Sequence, residues 1–385
     1  MRIVLITAEY PPAAGGVADY TERLAHILGT LGHTVTVITP PCLVPERRPT
    51  RRPAGVEVVA ATGGWGLAGV RAVARQAAAR IPDVIALQYV PTMYGRGGVA
   101  PAVALLPLLL RRATTARVAV TLHEVAVAWR LGPRPALQAA AHYLQLLLLA
   151  YGADRVVVTN ARYAALVRRW TQGRVVPRVV PVGTNILPLA TSRRQQAALR
   201  RALGVGEAPL VGSLSPLGVG DQPTHLVAVL QRLPTAHLAL LGGLPRYSQQ
   251  WPRFAALARR AGVAARVAYT GYWPAATLSR ALATLDVLVH TRDVGASTRS
   301  TALAAALAHG LPIVAYRGVE TTDVFIDGQN ILLAPAGDPA ALADRVAAVL
   351  VSPALRARLR AGARALYARL FAWERIGERF VEAVA

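Results

Sequence analysis

The chain's densest set of groups able to hold an anion lies between Thr291 and Tyr316. Arg292, Ser297, Arg299 and Ser300 precede an alanine-rich run, Ala302 to Ala308, which Gly310 and Pro312 terminate. Alanine favours helix, and a short hydroxyl at a helix start accepts from unpaired backbone N–H groups. Ser297, Thr298 or Ser300 therefore caps a helix here. Its N-terminus combines oriented N–H groups with a guanidinium able to grip a phosphate through paired bonds. An ordinary capped surface helix has the same local pattern. Gly15 and Gly16 form a second candidate: adjacent glycines let a backbone approach a diphosphate or a sugar closely. The stretch is not G-x-G-x-x-G, so it does not support a nicotinamide cofactor. Asp19 and Tyr20 follow on the same helix and are acceptor-side candidates. Thr121-Leu-His-Glu124 is the third candidate. His123 at the end of a strand can bond a sugar hydroxyl, and Glu124 can orient it or meet an acceptor. A lone histidine equally serves a purely structural role.

Other chemistries have no residues to perform them. There is no metal-ligand cluster, no Ser/His/Asp set and no G-x-x-x-x-G-K-[ST] loop. Cys42 is the only cysteine, which excludes an intrachain disulfide and fits a reducing cytoplasm. The net charge is +23 and the chain contains no lysine, so every basic residue besides histidine is arginine. The excess favours anionic partners, namely phosphates, acidic sugars or an anionic membrane surface. Nucleic acid is disfavoured because no aromatic-interleaved basic motif or zinc-finger spacing occurs.

The elements that must position these groups alternate between strand and helix. Arg2 to Thr7 reads as a buried strand, a loop carries the glycine pair, and a helix runs from about Asp19 to Leu31. Strands are expected at Thr34–Thr39 and near Val56–Ala60, Val84–Gln88, Arg117–Leu122, Arg155–Thr159 and Val175–Val180, with helices between. Pro181 to Pro188 interrupts the rhythm, and it restarts with strands at Pro209–Leu214, Leu238–Leu241, Arg266–Tyr269, Val287–His290 and Ile313–Tyr316. Such alternation means parallel sheets with right-handed crossovers. The fold class is α/β: two Rossmann-like doubly wound domains facing across a cleft. The first spans 1–188 with a returning C-terminal helix, 371–385; the second spans 189–370. A ligand belongs at the carboxyl ends of the strands. Val99–Leu110 and Leu137–Ala150 are very apolar but shorter than the roughly 20 residues of a membrane span, so they read as buried helices with shallow membrane contact as the alternative.

Five segments occur in a telling order: Gly15-Gly16-Val-Ala-Asp-Tyr20, Thr121-Leu-His-Glu124, Pro181-Val-Gly-Thr-Asn185, Gly295-Ala-Ser-Thr-Arg-Ser300 and Ala308-His-Gly-Leu-Pro312. Over essentially its whole length the chain resembles the family 4 glycosyltransferases of the GT-B fold. The resemblance implies a nucleotide-sugar donor held mainly by the second domain and an acceptor held mainly by the first. It implies transfer with retention of anomeric configuration, no metal and no cofactor. It also implies that Gly16 lies near the donor diphosphate and that His123 faces the transferred sugar. The family's Glu-x7-Glu pair falls on Ser297 and Ala305, and Asp221 stands where a lysine is usual. Gly295, Ser297 and Arg299 match a branch with a glycine-x-serine-x-arginine segment, which makes Arg299 the replacement phosphate ligand, helped by Arg292, Arg317 or Arg246.

The expected function is therefore a retaining, metal-independent glycosyltransferase acting on a glycan, lipid-linked or small-molecule acceptor, as in polysaccharide biosynthesis. The catalytic residues would be His123 and Glu124, and the donor ligands Gly15, Gly16, Arg292, Ser297, Arg299 and Ser300. The protein would be cytoplasmic, with peripheral contact at the inner membrane face as an option. A degenerate protein that binds a sugar, a nucleotide or a partner enzyme without turnover is the second reading, and another two-domain enzyme, such as an epimerase of nucleotide sugars or a phosphorolytic enzyme, the third. Absence of lysine removes any pyridoxal-dependent phosphorolytic enzyme.

Overall fold

The computed structural model describes residues 1–13, 15–41, 55–61, 64–125, 133–214, 217, 220–243 and 249–385, without the side chains of 96, 133 and 134. Cys42, Arg246 and most of the Ser215–Val219 loop lie outside the described residues. The chain divides into two compact units: Met1–Val182 with Trp373–Ala385, and Gly183–Ala372.

In the first unit the strands are β1 (Arg2–Ile6), β2 (Thr34–Thr39), β3 (Val56–Ala60), β4 (Val84–Tyr89), β5 (Arg117–Leu122), β6 (Arg155–Val158) and β7 (Arg178–Val179). They form one parallel sheet in the order β3-β2-β1-β4-β5-β6-β7. The helices between are α1 (Gly16–Thr30), α2 (Leu67–Ala78), α3 (Pro101–Ala104), α4 (Leu106–Ala113), α5 (Pro133–Gly152) and α6 (Ala161–Trp170). β1, β4 and β5 are buried almost throughout, which is why they read as unbroken apolar runs. The apolar stretch expected as one helix over Val99–Leu110 is instead two, α3 and α4, each with a proline in its first turn. Pro107 has no N–H for a continuing helix, so the break falls at Leu105.

The second unit holds β8 (Leu210–Leu214), β9 (His237–Leu241), β10 (Val267–Tyr269), β11 (Val287–His290), β12 (Ile313–Arg317) and β13 (Leu332–Pro335). These also pair in parallel, in the order β10-β9-β8-β11-β12-β13. Its helices are α7 (Arg193–Ala202), α8 (Pro223–Arg232), α9 (Trp251–Arg260), α10 (Ala275–Leu282), α11 (Thr301–Ala308), α12 (Pro339–Val351) and α13 (Pro353–Leu366). The edge strand β13 is absent from the sequence reading: four residues ending in proline, after a glycine turn, give too short a run to register.

The last helix, α14 (Trp373–Val384), belongs to the first unit. Its Trp373, Ile376, Phe380 and Val384 join Leu24, Ile27 and Leu28 of α1 in one apolar cluster. Gly377 makes the close approach possible, since a Cβ there would sit 2.9 Å from Leu31 Cδ1 and 3.1 Å from Ile27 Cγ2.

In each sheet the strand order reverses at one place, between β1 and β4 and between β8 and β11. Loops diverge to opposite faces there, opening a crevice at the carboxyl ends of the strands where ligands of such folds bind.

Candidate active site

In the first unit the reversal gathers the glycine pair, Gln88 and His123. Gly15 caps α1 in an extended conformation, and Gly16 is the first helical residue. A Cβ on Gly15 would lie 2.6 Å from the Glu9 carboxylate, whereas one on Gly16 would meet nothing within 4 Å. A side chain at Gly15 would thus displace the Glu9 carboxylate, whereas one at Gly16 would displace nothing. Asp19 closes the first turn by donating its N–H to Gly15 O at 3.1 Å. Burial pushes the Asp19 carboxyl above its ordinary range, Glu22 adds to this, and Arg23 opposes it.

His123 follows β5 and is buried, and its N–H donates to Tyr89 O at 2.9 Å. Its ring lies 4.8 Å from that of Tyr20, edge to face. Nε2 is 2.9 Å from Gln88 Oε1. An amide oxygen can only accept, so Nε2 carries the proton and Nδ1 is left with a lone pair. In this orientation the Gln88 amide nitrogen lies 3.5 Å from Thr121 Oγ1. Burial lowers the His123 pKa from 6.5 to about 4, so the imidazole is neutral. The Tyr20 hydroxyl is buried with no hydrogen-bond partner among the described residues, and burial pushes its pKa upward. Trp373 of α14 packs on the same tyrosine, 5.6 Å between ring centres. Glu124 is exposed, one residue beyond the histidine.

In the second unit the loop between β11 and α11 carries Arg292, Ser297, Arg299 and Ser300. Ser300 is the N-cap, its hydroxyl accepting from Leu303 N at 3.3 Å. Ser297 and Arg299 thus sit in the turn before the helix, where Ser300 N–H donates to Ser297 O at 3.1 Å. Arg299 pairs with Glu320, a residue only 3% exposed: Nε donates to Oε2 at 2.8 Å and Nη2 to Oε1 at 3.2 Å. Two of its nitrogens are thus committed to a protein carboxylate.

Arg292 meets the loop after β8. Its backbone bridges to Asp221, and a Cβ on Gly220 would lie 3.2 Å from Arg292 Nη2. His290 ends β11, buried, with Nε2 lacking a hydrogen-bond partner among the described residues. Burial, with Arg292 and Arg299 nearby, lowers its pKa to about 3. The imidazole is therefore neutral beside the two guanidiniums.

The predicted site residues thus fall into two groups, one per unit: Gly15, Gly16, Asp19, Tyr20, His123 and Glu124 in the first, Arg292, Ser297, Arg299 and Ser300 in the second. Gln88, Glu320 and His290 were missed. Gln88 had a signal, as the one amide in an otherwise apolar strand. Among the described residues no three His, Cys, Asp or Glu side chains gather as a metal site would require.

Comparison with known proteins matches the chain to two family models. A family model described as "Glycosyl transferase 4-like domain" matches residues 15–183, and one described as "Glycosyl transferases group 1" matches residues 211–352. A GDP-mannose-dependent alpha-(1-6)-phosphatidylinositol monomannoside mannosyltransferase of Mycolicibacterium smegmatis is 25% identical, covering 99% of this chain and 97% of its own. A D-inositol 3-phosphate glycosyltransferase of Xylanimonas cellulosilytica is 31% identical over 55% of this chain and 50% of its own. Among solved structures, sucrose-phosphate synthase of Thermosynechococcus elongatus superposes with a TM-score of 0.79 at 21% identity, covering 99% of this chain and 98% of that one. Anabaena HepE in complex with UDP-glucose gives 0.71 at 18% identity, covering 99% and 98%. The two parallel-sheet units and the two family models that match them define a GT-B glycosyltransferase. The chain belongs to the family 4 glycosyltransferases.

Proposed function

We propose that this enzyme transfers a sugar from a nucleoside-diphosphate sugar to a glycan or lipid-linked acceptor, retaining the anomeric configuration and without a metal ion. The second unit takes the donor and the first takes the acceptor. The observation that carries this reading is the loop between β11 and α11, where Arg292, Arg299 and the start of α11 converge at the strand-order reversal. A diphosphate leaving group gains charge as the bond to the anomeric carbon breaks. Fixed cations and backbone dipoles stabilise that charge without having to reorganise. The acceptor oxygen bonds to the same face of that carbon, and its proton passes to the departing phosphate oxygen. His123, neutral and with Nδ1 unprotonated, accepts a hydrogen bond from a sugar hydroxyl. The complex of HepE with UDP-glucose and the GDP-mannose dependence in the mannosyltransferase's name support a nucleotide-sugar donor.

The test is a mass-spectrometric screen of GDP-, UDP-, ADP- and dTDP-sugars against lipid and glycan acceptors, with product linkage read by NMR. The expected result is one donor that is turned over, an unchanged anomeric centre and activity that survives EDTA. An inverted product would overturn retention, and loss of activity in EDTA would overturn metal independence. Turnover of no donor would overturn the reading as a whole.

A further inference from the structure

The first unit contains a cavity of about 660 Å³ that the donor and sugar contacts leave unused. This lies within the range of small-molecule sites, roughly 300–1,000 Å³. Trp65, Leu67, Tyr94, Val99, Pro101 and Leu105 line it, and among the described residues no charged side chain does. Trp65 and Tyr94 meet edge to face, 4.7 Å apart and at 90°, which makes a rigid wall. Leu67 and Val99 lie on the cavity wall yet are 45% and 42% exposed. Large apolar side chains left in water around a concavity mark a binding surface.

Two observations identify the occupant. First, the Tyr94 hydroxyl donates to Gln88 O at 2.7 Å, and the Gln88 side chain holds His123. The cavity wall is therefore joined to the sugar-contacting histidine through a single residue. Second, the segment that builds the cavity, residues 64–113, contains six arginines (Arg71, Arg75, Arg80, Arg96, Arg111 and Arg112) against one acid, Asp83. Arg71 and Arg75 are exposed on α2, four and eight residues beyond Leu67 of the cavity wall, whereas Arg80 pairs with Glu57 and Arg111 with Asp154. An uncharged cavity in a strongly cationic segment suits a molecule with an alkyl chain and an anionic head.

We infer that this cavity binds the alkyl chain of an anionic lipid acceptor, with Arg71 and Arg75 of α2 facing its head group. The inference rests on the first unit's being the acceptor unit. The probe is dodecyl phosphate below its micellar concentration, titrated by calorimetry into the full chain, with inorganic phosphate as the head-group control. Ala102→Trp fills the cavity, and Val99→Asp, at an exposed position, places a carboxylate on the wall should the first variant fail to fold. Dodecyl phosphate should bind the wild-type chain, and each folded variant should bind it about tenfold or more weakly. GDP or UDP binding should stay unchanged in both. Equal affinity in the variants, no binding to the wild type, or equally tight binding of inorganic phosphate alone would overturn the inference. Nucleotide-sugar turnover is measured in parallel. Its absence, with chain binding intact, would count against the enzyme reading and leave the cavity assignment standing.

Discussion

Burial holds the His123 imidazole neutral, and this has consequences in two measurements. Its pKa falls from 6.5 to about 4 in the folded chain. Above pH 6.5 neither folded nor unfolded chain protonates the ring, so the group contributes no pH dependence. Between 6.5 and about 4 the unfolded chain takes up a proton that the folded chain refuses, so stability falls as pH falls, by roughly 3 kcal/mol in total. His123→Gln should flatten this part of a urea-midpoint-against-pH curve; a slope equal to wild type would contradict the assignment. Gln88→Glu sets a carboxylate against Nε2 and should raise the histidine pKa by about one to three pH units, read by NMR titration. Gly16 provides a separate test. Because a Cβ there meets nothing within 4 Å, Gly16→Ala should leave stability equal or about 0.5–1 kcal/mol higher. If a ligand sits on that backbone, KM should rise nevertheless. These residues were unequally legible. Adjacent glycines after a strand announce themselves, whereas Gln88 acts on His123 across 35 positions of sequence, which no local spacing encodes.

The loop between β11 and α11 is held by a second loop, the one after β12. Gly295 has φ +83°, and a Cβ on it would strike Gly318 N and Thr321 Oγ1. Ala296 N–H donates to Tyr316 O at 3.0 Å, and Glu320 N–H donates to Val294 O at 2.9 Å. Gly295→Ala therefore has no relaxed solution: the left-handed conformation alone costs about 1–2 kcal/mol, and the collision is with backbone. The expected result is a loss of at least roughly 2 kcal/mol in denaturant unfolding together with weaker nucleotide binding. Arg299 needs more care as a test. Arg299→Ala would strand the buried Glu320 charge, at about 3–5 kcal/mol. The informative comparison pairs Arg299→Ala/Glu320→Gln with Glu320→Gln alone. If Arg299 holds the donor diphosphate, the double variant should bind the donor nucleotide about ten- to a hundredfold more weakly than the single variant. Equal binding would remove Arg299 from the donor site. From sequence, the loop, helix and strand of Thr291–Tyr316 were legible because alanine, glycine and proline punctuate them. The Arg299–Glu320 pair was not, since an ion pair between loops depends on β11 and β12 lying side by side.

At the scale of the whole molecule, repetition of one strand–helix rhythm made the two sheets legible. The chain's return to the first unit through a C-terminal helix was anticipated, but the α1 residues on which that helix packs follow only from the fold. Residues 373–385 belong with 1–182, although the whole second unit separates them in sequence. Removing α14 would uncover Leu24, Ile27 and Leu28 and lose four large buried side chains, Trp373, Ile376, Phe380 and Val384. Burying a large apolar side chain stabilises by about 1.5–3 kcal/mol, so the four contribute roughly 6–12 kcal/mol as an upper bound. A domain's entire stability is about 5–15 kcal/mol, so the loss is comparable to everything holding the first unit together. A chain ending at Ala372 should therefore lose amide-exchange protection in β1, β2, β4 and β5. It should keep that protection in β8, β9, β11 and β12, whose cores contain no residue of α14. Protection retained in β1 and β4 would mean that α14 only covers the first unit. Protection lost in both sheets would mean that the two units do not fold independently.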